Sequence, residues 1–181
     1  MGGINIVGEM TPKRRHLAAL QGGRTDRPST IVLSNFVLEL MDATGVTWPE
    51  CQLKPDVMAK FQAGRYEIWG LDSLLCHNDL ISEVSMIGGT DIIDIGTKDR
   101  HPSVLKHVWA GKDPSDCAIP ENVLEKGRNP IIQGCLDDLS KDYGDTVSVT
   151  KMLTGPMTVA GHLWGVEPVL ELSKTDPDKF I

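Results

Sequence analysis

The sequence predicts an α/β protein with a parallel sheet, and three observations carry that reading. Helix-like and strand-like segments alternate along the chain. Two short apolar runs, Thr30-Ile31-Val32-Leu33 and Ser73-Leu74-Leu75-Cys76, read as strands. A β-branched run, Thr146-Val147-Ser148-Val149-Thr150, reads as a buried strand and leads through Gly155-Pro156 into a helix. With 181 residues the chain can form one domain with a real core.

The elements follow in order. Thr11 is a cap residue and Pro12 occupies a first helical position, so a helix runs to Leu20 and ends at Gly22-Gly23. Lys13, Arg14 and Arg15 lie near the positive end of its dipole, which opposes each by a few tenths of a kcal/mol, roughly. They face solvent or meet an acidic partner, and solvent is the expectation. Asp26-Arg27-Pro28 leads into the run at 30–33, the expected first strand. Pro55 starts the next helix, with Val57, Phe61, Gly64 and Ile68 at helical spacing, Met58 and Trp69 flanking them, and Gly70 as the stop. The run at 73–76 is the second strand. Asp91-Ile92-Ile93-Asp94-Ile95 alternates with period two after Gly88-Gly89, which predicts a small edge strand or hairpin. Residues 96–120 carry prolines at 102, 114 and 120 and read as a long irregular connection. Pro130 opens a helix whose apolar stripe is Ile132, Leu136, Leu139 and Tyr143, closed by Gly144. After the strand at 146–150, Gly155 is expected to permit a tight turn and Pro156 to set the first turn of a helix. Asp176-Pro177-Asp178 is a further helix start.

This succession contains three to four βα units, whereas a closed (β/α)₈ barrel has eight in roughly 250 residues. The expected architecture is therefore the N-terminal half of such a TIM barrel at residues 29–181, preceded by an N-terminal helical arm at residues 1–28 and cut inside a helix. A natural short chain is the alternative.

Composition narrows the function classes. Apolar content of 40% and charged content of 24% are ordinary for a soluble globular protein. No apolar run approaches the ~20 residues of a membrane span, and the start lacks the charged and apolar regions of a signal peptide. A net charge of −7 argues against a general nucleic-acid binder. The four cysteines, Cys51, Cys76, Cys117 and Cys135, form no C-x-x-C pair, so neither a disulfide framework nor a zinc ribbon is indicated. The expected compartment is a reducing cytoplasm. Cys76 and Cys135 lie in apolar runs and are expected in the core. The tryptophans at 48, 69, 109 and 164 are expected to serve packing.

Parallel α/β folds place their chemistry at the carboxyl ends of strands, which selects the candidate residues. Asp79 follows the second strand and reads either as a mouth carboxylate or as a cap for the next segment. If 79–83 is helical, Glu83 shares a face with Asp79, and the two carboxylates could be pushed apart in pKa and do acid–base work. A solvated face is the other reading of Glu83. His77 is either a mouth residue or an ordinary loop histidine. Thr154, Gly155 and Pro156 could shape a rim through backbone N–H groups at a helix start. His162 lies on the following helix beside polar Thr158 and Glu167 and reads as a partly exposed ligand-binding position or an ordinary helix residue.

Five blocks in order carry a family resemblance. They are Thr11-Pro12-Lys13-Arg14-Arg15 through Asp26-Arg27-Pro28; Met41-Asp42-Ala43-Thr44-Gly45; Trp48-Pro49-Glu50; Gly96-Thr97-Lys98-Asp99-Arg100 with Pro102; and Thr154-Gly155-Pro156 through Gly165-Val166-Glu167. Together they span nearly the whole chain and resemble the methylcobamide:coenzyme M methyltransferases, relatives of uroporphyrinogen decarboxylase. The resemblance implies a (β/α)₈ barrel that moves a methyl group from a methylated corrinoid, carried on a partner corrinoid protein, to a small thiol acceptor such as coenzyme M. In methanogens this is a reaction of methanogenesis. It also implies a zinc ion that binds the thiol and lowers its pKa, in a dry mouth that holds sulfur, methyl and cobalt collinear. It supports Asp79 and Glu83 as catalytic residues; His77, Thr154, Gly155, Pro156 and His162 are the candidate substrate or corrinoid contacts. The zinc ligands of that family are a His-x-Cys pair and a later Cys. This sequence has no His-x-Cys, so no metal ligand is assigned in it.

The decarboxylase branch resembles residues 72–88 and 153–163. There an aspartate at the position of Asp79 binds pyrrole N–H groups, and a tyrosine falls at His162. That branch also carries an arginine-rich string after its first strand. Here the stretch is Leu33-Ser34-Asn35-Phe36-Val37-Leu38, and a polycarboxylate needs paired guanidinium groups, so decarboxylation is disfavoured. A third reading is non-catalytic: a half-barrel whose unpaired sheet edges recruit a second copy or a separate second half.

Overall fold

The computed structural model describes residues 9–33, 38–76 and 79–180. The chain divides into two compact units, the described parts of Met1–Asn78 with Ile132–Met152, and of Asp79–Ile131 with Leu153–Ile181.

The first unit holds α1 (Pro12–Leu20), α2 (Leu38–Thr44), α3 (Pro55–Glu67), β1 (Ser73–Cys76), most of α5 (Asn129–Tyr143) and β4 (Ser148–Lys151). β1 and β4 pair in parallel with Ser73 opposite Ser148 and Cys76 opposite Lys151. All four residues of β1 are buried, as the fully covered strand of a parallel sheet requires. Its one polar side chain is satisfied: Ser73 Oγ lies 3.1 Å from the Ser148 carbonyl oxygen and 3.0 Å from Thr150 Oγ1.

α1 begins where Thr11 accepts a hydrogen bond from Arg14 N at 3.3 Å. The Lys13 N–H, an orphan donor of the first turn, reaches the Thr146 carbonyl at 2.9 Å. Arg15 departs from the expected solvent exposure. It is buried, with Nε 2.6 Å from Asp26 Oδ1 and Nη1 2.6 Å from Asp72 Oδ1. A guanidinium can enter a low-dielectric site when carboxylates meet it there.

The expected strand at 30–33 does not form among the described residues. Its backbone groups go elsewhere: the Thr30 N–H donates to Asp72 Oδ2 at 2.9 Å, and the Val32 carbonyl accepts Arg65 Nη1 at 2.7 Å. Among the described residues a backbone bond, from Asp72 N to the Thr30 carbonyl, links the segment to the start of β1. Side chains have taken the positions of a ladder.

The core of this unit is Leu40, Met41, Val46, Trp48, Cys51 and Phe61. Each large aliphatic or aromatic member contributes roughly 1.5–3 kcal/mol on burial. Gly64 of α3 permits the approach of α2, since a Cβ there would lie 2.6 Å from Thr44 Cγ2 and 2.9 Å from Leu40 Cδ1. Of the predicted stripe on α3, Phe61 is buried and Ile68 is exposed; Met58, placed at the flank, is fully buried. On α5, Ile132, Cys135 and Leu139 face inward. Cys76 and Cys135 are both core residues as expected, and the Cys76 thiol meets the Ile132 carbonyl.

The second unit holds α4 (Ser82–Gly88), β2 (Ile93–Asp94), β3 (Ser103–Val104), α6 (Pro156–Trp164), α7 (Val166–Thr175) and α8 (Pro177–Phe180). β2 and β3 form a short antiparallel pair with Ile93 opposite Val104, which is the small pairing expected near 91–95. It is shorter than the alternation suggested because Thr90–Ile92 turns as a 3₁₀ helix. Residues 96–120 are largely irregular, as expected. Ile81, Val84, Ile92, Ile93 and Leu163 form the core, with Trp109 and Trp164 packed against it at a centroid separation of 4.6 Å. Gly165, at φ +100°, ends α6 and starts α7 in a conformation that L side chains rarely adopt. Asp176 Oδ1 lies 3.4 Å from Lys179 N at the start of α8, in line with the predicted helix start. No helix among the described residues is long and apolar enough to cross a membrane.

Candidate functional site

Asp79 lies beyond the end of β1 and ahead of α4. Its Oδ1 accepts the Ile81 N–H at 3.0 Å, and its Oδ2 accepts Arg128 Nη1. Both side chains are almost fully enclosed, 4% exposed for Asp79 and 3% for Arg128. α4 starts only at Ser82, so the expectation of a helix across 79–83 fails and the two carboxylates do not share a helical face. The cause is local. A side-chain oxygen that takes the Ile81 N–H offers the backbone an alternative to one more helical turn.

Glu83 sits in the first turn of α4, where the helix dipole favours a carboxylate. It is half-buried, and its Oε2 accepts two hydroxyls, Ser82 Oγ at 2.8 Å and Thr154 Oγ1 at 2.6 Å. The second bond joins α4 to the loop ahead of α6. In the sequence these residues are 71 positions apart.

Thr154 is half-buried, whereas Gly155 and Pro156 are exposed. Gly155 caps α6 at φ −64° and ψ 151°, and its carbonyl accepts Thr158 N at 3.0 Å and Val159 N at 3.1 Å. That is ordinary extended backbone, so the tight turn expected from its glycine character is not made. A Cβ at Gly155 would meet nothing within 4 Å, which leaves open space above the helix start. Pro156 occupies the first helical position, as expected.

His162 lies in the last turn of α6. Its main-chain carbonyl oxygen is 2.7 Å from His107 Nδ1. Its ring Nε2 is buried and has no hydrogen-bond partner among the described residues. Burial, then the neighbouring His107, push its pKa below the usual histidine value. The ring is therefore neutral near pH 7, with the imidazole available as a neutral donor or acceptor. His77 lies outside the described residues.

The site thus has two connected parts, Asp79 with Arg128 and Glu83 with Thr154, and His162 bonds through its backbone to His107. Arg128 was missed in the sequence. Its only signal there is that Asp79, if buried, needs a cation, and Lys126-Gly127-Arg128 offers two. Gly127 decides how Arg128 is presented. It sits at φ +56°, and a Cβ would fall 2.4 Å from the Ser85 carbonyl carbon. Arg128 N then donates to Ser85 Oγ at 3.1 Å, and that hydroxyl donates to the Ser82 carbonyl at 2.6 Å.

A zinc ion needs about four ligands, three of them from protein in catalytic sites. Among the described residues no group of three or more His, Cys, Asp or Glu side chains could hold one. These residues do not fit a zinc site.

Residues 11–180 match the family model described as "Uroporphyrinogen decarboxylase (URO-D)", and the chain belongs to that family. Within it, the chain is similar to methyltransferases. The methylated-thiol–coenzyme M methyltransferase of Methanosarcina mazei is 36% identical over 175 residues, which cover 96% of this chain and 46% of that protein. The methylcobamide:CoM methyltransferase MtaA of Methanosarcina barkeri is 31% identical over 175 residues, 96% of this chain and 51% of that one. A solved structure titled "methyltransferase from Methanosarcina mazei" superposes with a TM-score of 0.86 at 33% identity, over 95% of this chain and 50% of that one. The expected fold, half of this family's TIM barrel, agrees with that superposition. The chain spans about half the length of the curated relatives it matches.

Proposed function

We propose that this chain forms part of a corrinoid:thiol methyltransferase. The protein takes a methyl group from a methylated corrinoid, presented by a partner corrinoid protein, and passes it to a small thiol such as coenzyme M. The observation that carries the reading is the 36% identity, across nearly the whole chain, to a methyltransferase whose name specifies methylated thiol and coenzyme M.

In the proposed reaction the thiolate sulfur attacks the methyl carbon in line. An S–C bond forms, the Co–C bond breaks, and its electron pair stays with cobalt. The thiol proton must leave. Glu83 is the proposed acceptor: it is half-buried, and its Oε2 accepts the hydroxyls of Ser82 and Thr154. Asp79 is the second proposed catalytic carboxylate, acting as a fixed negative acceptor at the mouth. Thr154 orients Glu83. The open space at Gly155-Pro156 and the neutral ring of His162 are the proposed contacts for substrate or corrinoid, with His77 as a further candidate. A zinc ion, which the resemblance implies, would have to be held by groups other than the described residues. The proposed setting is the cytoplasm, in a methyl-transfer step of methanogenesis.

The test uses the intact protein with methylcobalamin and coenzyme M. The proposal expects a thiol-dependent loss of the methylcobalamin absorbance. Demethylation at the same rate with and without thiol, or none at all, overturns it.

A further inference from the structure

We infer that Arg128 is a positioning residue for Asp79, fixing the carboxylate in one orientation at the mouth of the site. The inference rests on the reading of Asp79 as a catalytic carboxylate and adds a residue which that reading did not contain.

Three observations carry it. First, the ion pair is almost completely enclosed, and a buried pair is a poor source of stability compared with apolar side chains of the same volume. Its effect lies in geometry. Second, Asp79 is held from two directions, by a backbone N–H on Oδ1 and by the guanidinium on Oδ2, so neither its tilt nor its rotation is free. Third, Arg128 is itself fixed from behind. Its backbone N–H is bound to Ser85 of α4, and Gly127 brings the chain so close to the Ser85 carbonyl that no larger residue fits. The carboxylate, the guanidinium and the start of α4 therefore form one closed arrangement. Asp79 stands three positions after Cys76, the last residue of β1, and strand ends of this kind carry the chemistry in barrels. An arginine suits the task better than a lysine because its planar fork sets direction as well as charge.

The experiment compares variants of the intact protein in thiol-dependent methylcobalamin demethylation, with KM for the thiol and the thermal midpoint measured alongside. Arg128→Met is expected to lower kcat at least tenfold while KM for the thiol changes less than about threefold. Arg128→Lys, which keeps one charged donor but not the planar fork, is expected to recover part of that loss. Asp79→Asn should fall to a level similar to Arg128→Met, and the double variant should be no worse than either, because the two residues act as a unit. The double variant leaves no unpaired buried charge, so it also serves if Arg128→Met alone does not fold.

An Asp79→Asn protein with full kcat would sink the catalytic reading of Asp79 itself. An impaired Asp79→Asn beside an Arg128→Met or double variant of normal kcat would sink the positioning role alone. So would an Arg128→Lys protein whose kcat and thermal midpoint fall together to the level of Arg128→Met, since that is the behaviour of a purely structural residue.

Discussion

Asp72→Asn is expected to be among the most damaging single-atom-scale changes in the first unit. Asp72 is fully enclosed and accepts five hydrogen bonds: Arg15 Nη1 at 2.6 Å, Arg27 Nη1 at 2.8 Å, Arg27 Nη2 at 2.9 Å, Thr30 N at 2.9 Å and Thr30 Oγ1 at 3.1 Å. Every partner is a donor. An asparagine retains one acceptor oxygen and turns an NH₂ toward donors, so at least one buried group loses its partner. Orphaning a buried charge costs about 3–5 kcal/mol. Two facts lower that figure here. Arg15 keeps Asp26, through Nε at 2.6 Å and Nη2 at 2.8 Å. Arg27 is 44% exposed, so water replaces part of what it loses. The net expectation is about 3 kcal/mol, which for a protein of this size lowers Tm by roughly 6–12 °C.

The sign with pH is also determined. Burial alone would raise the Asp72 pKa, but the Thr30 N–H and the Arg15 and Arg27 guanidinium groups outweigh it and hold the carboxyl below its ordinary value. A depressed folded pKa stabilises above the unfolded value near ~3.9 and is lost as pH falls through the folded one. Thermal and urea unfolding followed by far-UV circular dichroism should therefore show a constant gap between wild type and Asp72→Asn from pH 7 to about pH 5. The gap should narrow below about pH 4. A variant within 1 kcal/mol of wild type at pH 7, or a gap that persists unchanged at pH 3, would refute the reasoning.

Two glycines should behave in opposite ways. Gly127→Ala meets both φ +56° and the Ser85 backbone at 2.4 Å, and should cost roughly 2–4 kcal/mol in denaturant titration. Gly155→Ala has ordinary backbone angles and open space, and should stay within about 0.5 kcal/mol of wild type. Equal effects at the two sites would contradict the geometry. Thiol titration offers a separate check: Cys51, Cys76 and Cys135 are fully buried and Cys117 is half-buried. In the folded state at most one of the four thiols of this chain should react rapidly with an aromatic disulfide, and all four should react in denaturant. Rapid labelling of two or more without denaturant would count against the packing.

What could be read in advance was what neighbouring residues decide. α3, α5 and α6 announce themselves through Pro at the first turn or just inside it, and α3 and α5 through apolar stripes as well; β1 and β4 do so through short apolar or β-branched runs. These signals act over a few residues. The failures share a cause of the opposite kind. The run at 30–33 has strand composition, but Asp72 and Arg65, 33 to 42 positions away, take its backbone groups. Arg15 carries a charge that favours solvent until Asp26 and Asp72 fold around it. The candidate site divides the same way. Asp79, Glu83 and Thr154 could be selected because each follows a strand end. That Glu83 bonds to Thr154, and that Asp79 bonds to Arg128, depends on contacts spanning 71 and 49 positions. No local pattern encodes such pairings.

In the proposed reaction the methyl group moves from cobalt to sulfur. The most direct measurement supplies methylcobalamin carrying a deuterated methyl group, together with coenzyme M, to the intact protein and weighs the products by mass spectrometry. The proposed transfer yields one trideuteromethyl thioether for each corrinoid demethylated. Label that remains on cobalt, while a uroporphyrinogen offered instead loses carbon dioxide, would contradict it.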